Sequence, residues 1–331
     1  MAESQAPKRL LTPTLEIAYE ERGPSSGMPV VLLHGFPDDV RAWDGTVHRL
    51  SAAGCRVILP YLRGYGPTRF RRAETPRSGE QAALGADLLA LLDGLGISRA
   101  ILAGYDWGGR AACIVSALWP ERVHALVSIG GYNIQDIARN QTPDLPAQEQ
   151  RYWYQWYFNT ERGRAGLASN RYALCRMLWQ LWSPNRSFEE ATYARTATSF
   201  DNPDFVEVVI HSYRHRHGNA PGDPAFAGIE RKLAAQPDII VPSVVLHGAA
   251  DDVDPAQRSE RAHCRFRGPY RREVVPLAGH FLPWEAPEAV AAAILSLRAE
   301  TKESSPGADG GLGKRGRSDL HGATRGHRCR P

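Results

Sequence analysis

The sequence has little of what marks secreted, membrane or metal-cluster proteins. Its 331 residues include five cysteines and three methionines. The odd, scattered cysteines favour free thiols in a reducing compartment over a disulfide framework or a paired-cysteine zinc site. No apolar run is long enough to cross a bilayer, and the N-terminal segment MAESQAPKRLL lacks the apolar core of a signal peptide. We therefore expect a cytoplasmic protein without a membrane span.

The excess positive charge is confined to the C-terminal segment 301–331. That segment carries seven basic and three acidic residues, which accounts for the whole net charge of +4. The rest of the chain is balanced, so the sequence pI of about 8.8 does not indicate a nucleic-acid-binding domain. Because the segment is rich in glycine, serine and charge and poor in large apolar residues, it is predicted to be a disordered basic tail.

Apolar segments alternate with helical patterns in two separate parts of the chain, 1–132 and 237–300. Short buried strands are predicted at residues 29–34, 55–60, 100–103, 123–129, 242–247 and 272–277. Such alternation is typical of a mostly parallel sheet flanked by helices, which places the chain in the α/β class. The intervening residues 133–236 are rich in aromatics and helical in pattern, and they are predicted to form an inserted helical cap, or lid, over the carboxyl end of the sheet.

The segment GYDWGGR, residues 104–110, lies between a predicted strand and a predicted helix. Gly104 and Gly108 flank Asp106 at the spacing of a nucleophile elbow, where small residues permit a sharp turn. A carboxylate at the centre needs no base to become a nucleophile, and the helix N-terminus favours its charge. An aspartate at this point would also suit an ordinary helix N-cap.

Three further motifs each follow a predicted strand and disfavour the capping interpretation. HGFP ends at Pro37, GAADD contains Asp251 and Asp252, and AGH ends at His280. The order nucleophile, acid, histidine is that of the α/β hydrolases. The backbone N–H groups of Phe36 and Trp107 occupy the places that form an oxyanion hole in that fold.

With these motifs, residues 14–298 resemble an α/β hydrolase of the epoxide hydrolase and haloalkane dehalogenase branch. The elbow GYDWGG, the HGFP motif and the segment LRGYGPT at 62–68 carry the resemblance. One departure is Tyr105, where the family usually has histidine, and we expect this side chain to point away from the substrate. The resemblance implies Asp106 as nucleophile, His280 as general base and Asp251 as the acid that orients it. Asp252 and Asp254 remain alternatives for the acid.

The resemblance also bears on the leaving group. An epoxide oxygen leaves as a poor alkoxide and needs an acid donor. The segments YQWYF and IHSYR resemble those that hold the two ring-opening tyrosines of epoxide hydrolases, which implies Tyr154 and Tyr213 as donors. The aromatic cap suggests an apolar pocket for a small hydrophobic epoxide, with substrate contacts predicted from Phe36, Trp107, Trp153 and Tyr157.

Two other interpretations stay open. A haloalkane or haloacid dehalogenase would use the same nucleophile, acid and base. Arg110 matches one carboxylate-binding arginine of the fluoroacetate dehalogenase type, whereas Trp107 replaces the other and offers an indole N–H to a halide. A non-catalytic binding protein is disfavoured by the intact nucleophile, base and hole.

The sequence offers no signal for a cofactor or a metal. His211, His215 and His217 share one segment, but without a nearby cysteine or acid cluster they are more typical of a solvated helix face. No cofactor and no metal are expected. The oligomeric state, monomer or homodimer, is left open.

Overall fold

Nine strands form one sheet within residues 6–303, which are the residues that this computed structural model describes. Most of the strands are buried runs of valine, leucine and isoleucine, the composition expected for a parallel sheet covered on both faces. In chain order the strands are β1 (Lys8–Leu11), β2 (Leu15–Arg22), β3 (Met28–Leu33), β4 (Cys55–Pro60), β5 (Arg69–Phe70), β6 (Ala100–Tyr105), β7 (Val123–Ile129), β8 (Ser243–Gly248) and β9 (Tyr270–Val275).

The sheet order is β1-β2-β4-β3-β6-β7-β8-β9, and β5 pairs with β2. Strands β1, β2 and β5 pair antiparallel, and every pairing from β4 to β9 is parallel. Because parallel strands carry their carboxyl ends to one edge, the segments after β3, β6, β8 and β9 meet there. The four motifs found in the sequence follow these four strands, so the topology brings them to a single edge.

Twelve helices are described, in three sets along the chain. The first set alternates with strands β4 to β7, the second lies between β7 and β8, and the third follows β8. They are α1 (Asp44–Ala52), α2 (Gln81–Gly94) and α3 (Asp106–Leu118); then α4 (Pro146–Arg151), α5 (Trp153–Phe158), α6 (Glu161–Trp182), α7 (Glu190–Ala197), α8 (Phe205–Arg216) and α9 (Ala227–Leu233); then α10 (Gln257–Arg261), α11 (Leu282–Glu285) and α12 (Pro287–Glu303).

The α/β class and the inserted helical segment predicted from the sequence are confirmed, with local differences. Strands β1 and β5 were not predicted. A capping box of Ser78 with Gln81 is suggested by the sequence, but α2 begins after Glu80 and has no side-chain cap. Ser78 Oγ donates instead to Glu80 Oε1 at 2.7 Å. Helix α12 continues to Glu303, into the predicted tail, and the remainder of that tail lies outside the described residues.

The structure also bears on two further predictions, that the chain has no membrane span and that its cysteines are free thiols. No helix within residues 6–303 combines the length and the apolar character that a membrane span requires. Cys113 and Cys175 are buried free thiols, and Cys55 is also buried. Cys264 differs from the expectation of free thiols, since it is disulfide-bonded.

Candidate active site

Asp106 lies where β6 passes into α3, with its backbone in the left-handed region at φ +47°. A Cβ on Gly104 would lie 2.4 Å from the carbonyl oxygen of Gly108, and one on Gly108 would lie 2.2 Å from that of Leu33. Neither contact is possible for a real side chain, so glycine is required at both positions. The strained turn lifts the Asp106 side chain above the edge of the sheet, as the elbow pattern predicts.

The carboxylate of Asp106 rests against the loop that follows β3. The backbone N–H of Phe36 donates to Asp106 Oδ1 at 2.8 Å. The residue next to Asp106, Trp107, is in the first turn of α3, where backbone N–H groups lack partners within the helix. The two N–H groups predicted from the sequence therefore belong to segments that flank the carboxylate.

Arg110 lies one helical turn beyond Asp106. Its guanidinium is 3.4 Å from Asp106 Oδ2, and both side chains are largely buried. A cation in this position attracts an anion bound beside Asp106. The sequence had singled out Arg110 only in connection with halogenated acids.

His280 follows β9 and is held by one of the three acids that the sequence left open. Its Nδ1 is 2.9 Å from Asp251 Oδ2, while Nε2 is buried without a hydrogen-bond partner among residues 6–303. Burial acts to lower the pKa of His280, but the charge and hydrogen bond of Asp251, together with the charge of Asp106, raise it to about 9. A ring held through Nδ1 presents Nε2 for proton transfer.

The backbone of the loop after β8 fixes Asp251. Its Oδ1 accepts from the N–H groups of Val253 at 3.0 Å and Asp254 at 2.8 Å. Burial acts to raise the pKa of Asp251, but His280 and His247 outweigh it and hold that pKa well below its ordinary value. His247, whose Nε2 is 3.6 Å from Asp251 Oδ2, was not identified from the sequence.

The two alternative acids point elsewhere. Asp252 forms an ion pair with Arg151 at 3.3 Å on the outside of the loop. Asp254 pairs with Arg258 at 2.8 Å and accepts from the hydroxyl of Tyr152 at 3.3 Å. Neither carboxylate reaches His280 by a hydrogen bond that the structure describes, so Asp251 is the acid in contact with the imidazole.

Tyr154 projects inward from α5 and is only 3% exposed. Its hydroxyl oxygen accepts from Gln155 Nε2 at 2.9 Å, and Gln155 Oε1 is in turn 3.0 Å from His217 Nε2. These hydrogen bonds occupy one acceptor site of the Tyr154 hydroxyl oxygen and leave the hydroxyl proton available to another acceptor. Burial raises the pKa of Tyr154, so the hydroxyl stays protonated at neutral pH.

Tyr213 reaches the same place from α8. Its ring centroid is 5.3 Å from that of Tyr154 and 5.5 Å from that of Phe36. The hydroxyl is buried, and it has no hydrogen-bond partner within the described part of the chain. An unpaired buried hydroxyl is costly unless a bound molecule uses it. Burial also raises the pKa of Tyr213 well above its ordinary value.

A cavity of about 1010 Å³ opens beside these groups, with Asp106, Arg110, Tyr154, Asp251 and His280 in its wall. Contrary to the apolar pocket expected from the sequence, the lining is mostly polar and charged. The reason is that the inward-facing aromatic side chains pack on one another below it, among them Phe36, Trp107, Phe158, Trp182 and Tyr213.

The same wall carries a cation that the sequence did not identify. The guanidinium carbon of Arg216, from the end of α8, lies 5.2 Å from the ring centroid of Tyr152. No ion pair of Arg216 is described within residues 6–303. The charges of Asp106 and Arg216 act in opposite directions on the pKa of Tyr154, Asp106 raising it and Arg216 lowering it, and burial raises it most. The sequence signal that could have identified Arg216 was the helical pattern of the segment HSYRHRHG, residues 211–218.

None of the four predicted substrate contacts lines the cavity. Trp153 and Tyr157 occupy neighbouring positions on one face of α5, with ring centroids 6.3 Å apart, and neither lines the cavity. Tyr154 and Phe158 take the inward face because α5 turns by about 100° per residue. Phe36 and Trp107 are fully buried and stack on each other, and neither lines the cavity.

Comparison with known proteins agrees with this arrangement. The family model of the α/β hydrolase fold matches residues 28–287. A solved structure of a proposed epoxide hydrolase from Klebsiella pneumoniae subsp. pneumoniae is 42% identical, with a TM-score of 0.86 over 88% of this chain and 97% of that one. Epoxide hydrolase A of Mycobacterium tuberculosis is 27% identical over 82% of this chain and 90% of its own length.

Epoxide hydrolase 3 of Siraitia grosvenorii is 39% identical over 121 residues, which are 37% of this chain and 36% of that protein. The matched family model spans most of the residues that form the sheet, the elbow and the loops around it. The chain belongs to the α/β hydrolase fold family.

Proposed function

We propose that this protein is an epoxide hydrolase, which converts an epoxide to a vicinal diol through a covalent ester on Asp106. The observation that carries the proposal is the pair of buried tyrosine hydroxyls, Tyr154 and Tyr213, beside a carboxylate nucleophile. An epoxide needs such acids and a halide does not. The names of the relatives from Klebsiella pneumoniae and Mycobacterium tuberculosis support the same function.

In the first step Asp106 attacks a ring carbon of the epoxide. Since Oδ1 is held by the Phe36 N–H, Oδ2 is the oxygen that forms the new C–O bond. The ring C–O bond breaks, and its oxygen takes a proton from Tyr154 or Tyr213. The product is a hydroxyalkyl ester of Asp106 and a tyrosinate that regains its proton later.

In the second step His280 Nε2 removes a proton from water, and the resulting hydroxide adds to the carboxyl carbon of Asp106. The N–H groups of Phe36 and Trp107 stabilise the negative oxygen of the tetrahedral intermediate. The ester C–O bond then breaks, and the alcohol oxygen takes the proton that His280 removed from water. The carboxylic acid formed at Asp106 returns its proton to the tyrosinate, and the diol leaves with the Asp106 carboxylate restored. Asp251 holds the imidazole and stabilises its positive charge.

The cavity lining refines the substrate that we infer. A small epoxide can place its reacting carbon over Asp106, as the sequence suggests for a hydrophobic substrate. Arg216 and Tyr152 further along the wall favour a polar or anionic substituent on that epoxide, because an arginine that forms no ion pair among residues 6–303 attracts one.

The proposed function is tested by the products formed from a panel of epoxides and halides. We expect the purified protein to convert styrene oxide or a carboxylated epoxide to the diol, and to release little or no halide from chloroacetate, fluoroacetate or 1-chlorobutane. Chromatography of the diols and an ion-selective electrode measure the two activities. Halide release without diol formation would contradict the proposal.

Replacing the two tyrosines by phenylalanine tests the acid donors. We expect Tyr154→Phe and Tyr213→Phe each to slow ester formation by about 10-fold, because one hydroxyl remains. The double variant should lose about 10²- to 10⁴-fold, the usual range for general acid catalysis. Single-turnover kinetics with an epoxide measure the step. Tyr157→Phe, on the other face of α5, is the matched control, and full activity in the double variant would exclude the tyrosines as donors.

A second candidate function is favoured by Arg110. Its guanidinium, 3.4 Å from Asp106 Oδ2, is placed to hold the carboxylate of a halogenated acid while Asp106 displaces the halide. The indole Nε1 of Trp107 is buried without a partner in residues 6–303 and would be the donor to the halide. The product panel described above separates this dehalogenase activity from diol formation.

A further inference from the structure

A second group of ionisable side chains lies outside the active-site cavity, where the start of α2 meets α8 and α9. It consists of Glu80, His215 and Glu230, and one ligand atom from each lies within 4.8 Å of the other two. None of the three lines the cavity beside Asp106. Glu80 belongs to the first core segment, whereas His215 and Glu230 belong to the helical segment between β7 and β8.

One carboxylate oxygen of Glu80, Oε2, lies in this group without a hydrogen bond from residues 6–303. The residue is 1% exposed. Its Oε1 accepts from Ser78 Oγ at 2.7 Å and from the N–H of Asp223 at 2.9 Å. Its Oε2 is buried and has no hydrogen-bond partner within residues 6–303. A buried carboxylate oxygen left in this way is costly unless a cation compensates it.

The other two side chains face that oxygen. His215 Nε2 is 3.3 Å from Glu80 Oε2. Glu230 accepts from the N–H of Ala82 at 3.1 Å and from Gln81 at 3.2 Å, which leaves lone pairs on both of its oxygens. Two carboxylates and one imidazole thus share a small, partly buried space.

Gly222 keeps the space beside this group open. A Cβ at this position would lie 2.5 Å from Glu80 Oε2 and 3.0 Å from His215 Nε2. The backbone of Gly222 is not in the left-handed region, so conformation does not require glycine here. The missing side chain therefore leaves room next to these two atoms, for which no other partner is described among residues 6–303.

We propose that Glu80, His215 and Glu230 bind a divalent transition-metal cation of the Zn²⁺ type, which ties the inserted helices to the core. Imidazole nitrogen and carboxylate oxygen are ligands that Zn²⁺ accepts, and its charge balances the two carboxylates. His211 is not a ligand, because its Nδ1 accepts from the N–H of Gly79 and its Nε2 bonds to the carbonyl oxygen of Pro221, both at 3.0 Å.

The sequence alone argued against a metal at this segment. Its histidines lie among arginines, and no cysteine or acid cluster lies near them along the chain. Glu80 precedes His215 by more than 130 residues, and Glu230 lies on a different helix, so only folding brings the ligands together.

Zn²⁺ binding by the full-length protein tests the proposal. After dialysis against a chelator, we expect isothermal titration with ZnCl₂ and elemental analysis to find a site that is lost or weakened at least about tenfold in Glu80→Gln, His215→Gln and Glu230→Gln. Gly222→Ala should have the same effect with every ligand present, because its methyl group fills the opening. Zn²⁺ should also raise the Tm of the wild type and not that of these variants.

His263→Gln, which removes an exposed histidine outside the group, is the matched control and should bind as the wild type does. Circular dichroism confirms that each variant is folded. Unchanged binding in His215→Gln and Gly222→Ala would place the metal elsewhere in the chain and overturn the proposal. Absence of binding by the wild type would also overturn it. Neither result depends on epoxide turnover.

Discussion

Asp106→Asn is expected to reduce diol formation by about 10⁴-fold or more, the largest effect of any substitution considered. The amide is nearly the same size as the carboxylate and can accept the N–H of Phe36. It is neutral and a poor nucleophile, so the ester cannot form, and loss of a nucleophile commonly has an effect of this order. Steady-state and single-turnover rates with an epoxide measure the loss.

Asp252→Asn is the matched control for Asp106→Asn. This carboxylate lies on the outer side of the loop after β8 and pairs with Arg151. We expect Asp252→Asn to retain the wild-type rate within about twofold. If Asp106→Asn keeps the wild-type rate while circular dichroism shows the same fold, Asp106 is not the nucleophile and the proposed mechanism fails.

His280→Gln is expected to trap the covalent ester. Asp106 is already a carboxylate, so the first step needs no base and should continue in this variant. The second step loses its base and should slow by about 10²- to 10⁴-fold. Mass spectrometry of the intact protein should then show a mass increase of one epoxide molecule, and peptide mapping should assign it to the peptide that contains Asp106.

The pKa of His280 is consistent with a role as base in the second step and not in the first. In the free protein, Asp251 and Asp106 together raise the pKa of His280 to about 9 against the effect of burial. Formation of the ester removes the charge of Asp106, and with it one of the interactions that raise the pKa. The imidazole therefore becomes neutral more readily in the ester, where it has to act as a base.

The double variant Asp106→Asn/His280→Gln is the control for the trapping experiment and should form no adduct. An adduct in the double variant would show that another side chain reacts with the epoxide. Complete turnover in His280→Gln would contradict the role of His280. Loss of both adduct and turnover in a folded His280→Gln would mean that His280 is needed before the ester forms.

The acid that orients His280 shows what the sequence could and could not predict. The motif GAADD indicates a loop with acids after a strand, but Asp251, Asp252 and Asp254 all lie in that loop. The choice depends on which side chain the loop turns inward. Backbone N–H groups of Val253 and Asp254 hold the Asp251 carboxylate there, whereas Arg151 and Arg258 draw the other two away.

For the substrate contacts, the sequence pattern did not identify the residues that line the cavity. An aromatic-rich cap predicts an apolar pocket, but which aromatic residues face the cavity depends on the rotation of α5 and on packing among the rings. Tyr154 faces inward, Trp153 and Tyr157 do not, and Arg216 enters the wall from α8. Many of the inward-facing aromatic residues pack on one another outside the cavity lining, and polar side chains form most of its wall.

The sequence by itself determined the sheet class, the elbow at Asp106 and the order of the motifs. These features are local, because a sharp turn needs glycine at defined spacing and parallel strands bring their carboxyl ends to one edge. Only the tertiary structure decided which acid contacts His280, which side chains line the cavity, and that Glu80 and Glu230 meet His215. Each of these depends on how helices far apart in the chain are rotated and packed, and residue order alone does not specify those angles.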